Sequence, residues 1–219
     1  MRVLLFGATG MVGQGVLREC LLDPGVSEVV TIGRRPTGRL HAKLRDVVQA
    51  DVTDFSADET RVSGFDACFF CLGVSSAGMK EGEYRRLTHD LTLAAARSLR
   101  RLNPRMTFVY VSGQGTDANG RRMWARVKGE TENGLLALGF KGAYMFRPGA
   151  IVPMDGIRSR TRLYRALYVA LWPALQVMRR VAPSKVTTTR KVGRAMLNVA
   201  RNGYPKPVLE TKDINQAAA

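Results

Sequence analysis

Gly7-Ala8-Thr9-Gly10-Met11-Val12-Gly13 follows an apolar run at 3–6 and leads into a helical pattern. Each glycine has a mechanical use there. Gly7 permits a tight turn out of a strand, Gly10 lets the backbone approach a pyrophosphate, and Gly13 lets helix and strand pack closely. The amides opening the helix would then face phosphates, where the helix dipole favours negative charge. A purely structural glycine turn is the blander alternative, and the strand–turn–helix context weighs against it. The next apolar run ends Thr31-Ile32-Gly33-Arg34-Arg35 without an acid. An Asp or Glu at that point would hold a ribose 2′-hydroxyl, whereas Arg34 and Arg35 suit a 2′-phosphate through paired charge-assisted hydrogen bonds. The expectation is NADP(H) in preference to NAD(H), with a solvated basic loop as the alternative. In Ala50-Asp51-Val52-Thr53, Asp51 either accepts from an adenine amino group or closes a turn, with Val52 beside it.

Two thiols also have suggestive spacing. Cys68 and Cys71 form a C-x-x-C, but Ala67-Cys68-Phe69-Phe70-Cys71-Leu72 reads as a buried strand. Residues i and i+3 of a strand point to opposite faces, and a zinc site needs two further ligands. Core cysteines are therefore expected, and no metal site.

The elements that must position these residues are legible in the hydrophobic pattern. Strand-like runs recur at 3–6, 29–32, 46–50, 67–72, 106–111 and 143–147. Helical spacing fills 11–22, 81–102 and 121–138; in the second, Leu87, Leu91, Ala95, Leu99 and Leu102 form a core stripe. Alternating strands and helices imply an α/β fold, a doubly wound parallel sheet covered on both faces. No linker divides the chain, so residues 1–219 read as one domain with 150–219 as an appended helical part.

Composition bounds the partners. Thirty-four Lys and Arg against 18 Asp and Glu leave a net charge of +16, while 45% apolar residues rule out a disordered chain. Twelve Lys or Arg, and no acid, lie between Asp155 and Glu210. That half of the chain faces something anionic or tolerates self-repulsion. Met1-Arg2 leads straight into a strand with no secretory signal, and three cysteines make no closed disulfide set. Both point to a cytoplasmic setting.

Together these motifs resemble the atypical short-chain dehydrogenase/reductase superfamily, NAD(P)-binding Rossmann proteins, in the branch of Tat-interacting-protein-like and epimerase-like oxidoreductases. The likeness rests on Gly7–Gly13, Arg34-Arg35, Cys71-Leu72-Gly73, Val111-Ser112-Gly113, Val127-Lys128-Gly129-Glu130 and Phe146-Arg147-Pro148-Gly149. It implies that Leu72 and Gly73 line the cofactor and that Pro148, Gly149 and Ile151 close over its nicotinamide side. It also implies that Lys128 anchors the ribose and that Ser112 orients a substrate oxygen; the alternatives are a solvated helix lysine and a loop cap. Reductases of this superfamily place a Tyr four residues before the Lys, and here that residue is Trp124. Indole N–H donates a hydrogen bond but is no general acid near neutral pH. Tyr110 belongs to a strand and reads as core, while Tyr84 and His89 show no spacing that ties them to Lys128 and read as structural or surface residues.

Ala166 to Met178 is uncharged, flanked by arginines and interrupted by Pro173, too short to span a bilayer. It reads as a helix over the substrate cleft or a partner subunit, as an interfacial membrane helix, or least favourably as a nucleic-acid contact. Val186 to Thr189 suggests a short strand before a last helix at 190–201, and the proline-bearing tail after Asn202 reads as frayed. Two functions follow. One is an NADP(H)-binding oxidoreductase for an unknown small-molecule substrate. The other is a non-catalytic NADP(H) sensor or scaffold that docks to a membrane surface or protein through residues 157–194. Monomer and homodimer both stay open.

Overall fold

A computed structural model describes residues 1–55, 59–157 and 185–219. The uncharged segment 166–178 and most of the basic stretch 157–194 therefore lie outside the described residues. The first half alternates β1 (Arg2–Phe6), α1 (Met11–Leu22), β2 (Glu28–Gly33), β3 (Leu44–Val48) and β4 (Ala67–Phe70). It continues through α2 (Glu81–Arg85), a π turn at Arg86–Asp90 and α3 (Leu91–Leu102). The second half adds β5 (Thr107–Val111), α4 (Met123–Ala137), β6 (Gly142–Arg147) and β7 (Ala150–Val152). The C-terminal part supplies β8 (Val186–Thr188), α5 (Thr189–Asn202), β9 (Val208–Glu210) and α6 (Thr211–Ala217).

Seven strands form one parallel sheet in the order β3-β2-β1-β4-β5-β6-β9, and β7 and β8 pair in a small second sheet. The chain winds outward from β1 in one direction and resumes at β4 in the other. The crevice between those strands is where a doubly wound sheet offers ligands a site. Strand alternation divides the core. Leu4, Phe6, Cys68, Phe70 and Phe108 pack with α3 on one face, while Val3, Leu5, Phe69 and Val109 pack with α1 and α5 on the other. Cys68 belongs to the first face and Cys71 packs against the second, so the two thiols diverge as strand geometry requires.

Four expectations need correction. Leu87 is 38% exposed, because the π turn inserts a residue into the helical register and brings Tyr84 and Thr88 inward instead. Tyr84 is accordingly a core residue. β3 begins two residues earlier than its apolar pattern suggests, since Leu44 already pairs with Val29. The strand stops before Gln49, whose side chain donates to the carbonyls of Asp51 and Asp54 and closes the turn. Finally, the tail is not frayed. The carbonyl of Pro207 accepts from the Met145 amide, Val208–Glu210 completes the sheet edge, and Glu210 and Asp213 form a capping box that starts α6.

Candidate functional site

The glycine loop joins β1 to α1 at the carboxyl end of the sheet. Gly7 has φ +75°, and a Cβ there would lie 2.6 Å from the Cys71 backbone. A Cβ on Gly13 would lie 2.0 Å from the Gly7 carbonyl, so helix and loop touch backbone to backbone. Gly10 is different: a Cβ there would meet only the Gly7 carbonyl, at 3.3 Å, leaving an open surface in front of the helix. Gly10 is also the N-cap, with no side-chain cap and no acid in the first turn of α1. Donors left uncapped beside an open backbone fit the pyrophosphate of a dinucleotide.

A cavity of about 390 Å³ opens beside this loop. Gly7, Ala8, Thr9 and Leu72 form one wall, and Thr31, Ile32, Gly33, Arg34, Arg35 and Thr37 form the other. The structure thus brings Gly7 to Thr9 of the glycine loop, the arginine pair and Leu72 into one site, while Gly10 to Gly13 lie outside its lining. Among the described residues, no carboxylate lines it. Thr31 and Thr37 were not singled out by sequence; both are tied to Asp46 of β3. Asp51 and Val52 lie outside the cavity lining. Asp51 is exposed and its Oδ1 accepts from the Thr53 amide at 2.8 Å and hydroxyl at 2.6 Å, which lowers its pKa, while Val52 is buried in the core. Gly73 is unobstructed: a Cβ there would have nothing within 4 Å.

A second cluster sits at the end of β5. Lys128, half-buried on α4, donates from Nζ to the Val111 carbonyl at 3.4 Å and lies 5.3 Å from the Tyr110 ring centroid. Removal from water lowers its pKa to about 8, against a smaller upward pull from Glu132. Ser112 is 8% exposed, with its Oγ 3.0 Å from Thr116 Oγ1. Thr116 donates its own proton to the Gly113 carbonyl at 2.8 Å, so Ser112 is the donor between the two hydroxyls and keeps its lone pairs as acceptors. Trp124 lies against Gly115, where a Cβ would come 3.6 Å from the indole.

Pro148, Gly149 and Ile151 sit beyond this cluster. Gly149 donates to Thr211 Oγ1 at 2.8 Å and packs so closely that a Cβ would lie 2.7 Å from Gln114 Oε1. Ile151 is buried in β7. Tyr110 is core, and His89 pairs with Asp90 away from Lys128's contacts.

A family model described as the NAD dependent epimerase/dehydratase family matches residues 3–123. This chain belongs to that family. The matched residues run from β1 through the glycine loop to the start of α4. Among curated relatives, the protein fmp52 of Emericella nidulans is 33% identical over 156 residues, 68% of this chain and 66% of that protein. Fmp52-1 of Aspergillus oryzae is 33% identical over 67% of this chain and 64% of its own length. The chain thus spans just under two thirds of these relatives. Both are named mitochondrial proteins, and this overturns the cytoplasmic expectation. Unpaired thiols suit any reducing compartment, so cysteine count carried no address.

Solved structures agree on the fold. MoeE5 in complex with UDP-glucose and NAD superposes with a TM-score of 0.69 at 17% identity, over 96% of this chain and 75% of that one. A UDP-galactose 4-epimerase does so with 0.68 at 17% identity, over 96% and 76%. The short-chain dehydrogenase/reductase resemblance and the Rossmann fold both hold.

Proposed function

We propose that this chain is an NADP(H)-dependent oxidoreductase acting on a small carbonyl or alcohol. The observation that carries the reading is the cavity beyond β2, lined by Arg34 and Arg35 and, among the described residues, by no carboxylate. Two guanidiniums grip a 2′-phosphate, whereas a bare ribose hydroxyl calls for an acid. The loop from Gly7 through Thr9, Gly10, Met11 and Val12 to Gly13 holds the pyrophosphate, and Leu72 and Gly73 continue the floor. Asp51, exposed outside the cavity lining, serves the adenine end, with Val52 supporting it from the core. Lys128 holds the ribose, and Pro148, Gly149 and Ile151 back the nicotinamide end. The nicotinamide supplies hydride transfer when bound. Ser112, its proton directed to Thr116, accepts from a substrate hydroxyl. Equilibrium titration with NADPH and NADH tests the cofactor reading: tighter NADPH binding supports it, and equal affinity refutes it.

Trp124 favours a second reading, a sensor that binds NADP(H) without turnover, because indole exchanges no proton at neutral pH. NADPH consumption over a panel of carbonyls and quinones separates the two. Slow wild-type turnover that rises roughly tenfold or more in Trp124→Tyr is expected of an impaired oxidoreductase, since a positioned general acid contributes on that scale or above. Intact binding with no turnover in the wild type supports the sensor. Robust wild-type turnover that Trp124→Tyr leaves unchanged contradicts the impairment.

A further inference from the structure

Asp46 stands on β3, directly beside Thr31 in the parallel register of β2 and β3. Its Oδ1 accepts from the Thr31 hydroxyl at 2.5 Å. Its Oδ2 accepts from both the amide and the hydroxyl of Thr37, each at 2.9 Å. One carboxylate therefore ties both ends of the segment 31–37, and Arg34 and Arg35 ride between the ties. Both arginines are exposed, and among the described residues neither pairs with a carboxylate. The sheet fixes the backbone as far as Gly33, which pairs with Val48 of β3, and beyond it Asp46 holds the chain through Thr37.

We propose that Asp46 is a positioning residue that sets discrimination between 2′-phosphorylated and unphosphorylated dinucleotides. It joins the end of β2 to Thr37 and so holds the turn after Gly33 in the shape that presents Arg34 and Arg35 to the cavity; this rests on the NADP(H) reading above. The chemistry asks for a carboxylate. Three donors converge on two oxygens, and hydrogen bonds to an ionised acceptor are the stronger kind. An asparagine offers one acceptor oxygen, so it keeps one end of the loop and turns a donor toward the other. A valine at Thr37 keeps shape and amide but deletes one tie.

The test compares NADPH and NADH affinities by fluorescence titration in wild type, Asp46→Ala, Asp46→Asn and Thr37→Val. Asp46→Ala is expected to weaken NADPH about tenfold or more while NADH moves by less than about threefold, with Asp46→Asn between and Thr37→Val showing a smaller loss in the same direction. The ratio of the two affinities is the readout, because general damage to the pocket lowers both together. A ratio that survives in Asp46→Ala, or NADPH and NADH weakening in step, overturns the proposal. Should Asp46→Ala fail to fold, an unchanged ratio in Thr37→Val overturns it alone. A wild type that binds both dinucleotides equally overturns the NADP(H) reading and this proposal with it, a distinct outcome.

Discussion

Lys128 is half-buried, with its ammonium drawn toward the Val111 carbonyl and the Tyr110 ring. Its folded pKa of about 8 lies below the ordinary lysine value of 10.5, so the unfolded chain binds more protons between those two values. Stability from this group therefore rises with pH across that window, and below pH 8 the partly desolvated ammonium costs its full amount. Lys128→Met should be more stable than wild type at pH 7 in urea denaturation, with a margin that narrows as pH climbs toward 10. A margin that stays constant with pH contradicts the burial argument. At this scale the glycine loop and Arg34-Arg35 were readable, because each needs only its own residue type and its neighbours in the chain. Asp46, Thr31 and Thr37 were not. Their hydrogen bonds span 15 and 9 residues and exist only once β2 and β3 pair in register. The Thr116 hydroxyl that orients Ser112 was missed for a similar reason, since a loop threonine has many local partners.

The bounds of α1 match the helical pattern at 11–22, yet what that helix packs on lies at the far end of the chain. Gly15 faces Thr189 of α5, and a Cβ there would sit 2.6 Å from the Thr189 Cβ and 2.8 Å from its carbonyl oxygen. Glu19, 5% exposed, accepts from Arg18 at 2.6 Å and from Arg194 of α5 at 3.1 Å. Close helix packing of this sort tolerates no added atom. Gly15→Ala should therefore destabilise the fold by about 1–3 kcal/mol, the usual cost of overpacking. Gly82→Ala is the control, with nothing within 4 Å of its would-be Cβ; it should be neutral or gain up to about 1 kcal/mol, as for Gly to Ala in a helix. Urea midpoints of the two variants decide the matter, and equal midpoints contradict it. Periodicity located these helices but not their contacts. Nor does it reveal a π turn, which leaves composition untouched and shifts only the buried face, as Leu87 illustrates.

Over the whole molecule, the charge of +16 divides between inward and outward roles. Among the described residues, Arg190 pairs with Asp155, Arg194 with Glu19, Arg201 with Asp23 and Lys206 with Asp213. Two of these pairs, to Glu19 of α1 and to its C-cap Asp23, form as α5 docks beside α1, and the other two meet acids just outside the acid-free stretch, a neutralisation that a count along the chain does not show. Pairs with an exposed partner add little stability singly, but those to Glu19 and Asp23 join the N-terminal and C-terminal parts of the chain. A smaller basic share, Arg34 and Arg35, stays unpaired among the described residues and faces the cavity. The decisive measurement is a paired titration of NADPH and NADH into wild type and the Arg34→Ala/Arg35→Ala double variant. NADPH should bind wild type at least roughly tenfold more tightly than NADH, as expected when a guanidinium pair meets a 2′-phosphate, with near-parity in the double variant. Equal wild-type affinities, or a preference that persists without the two arginines, would contradict the 2′-phosphate site.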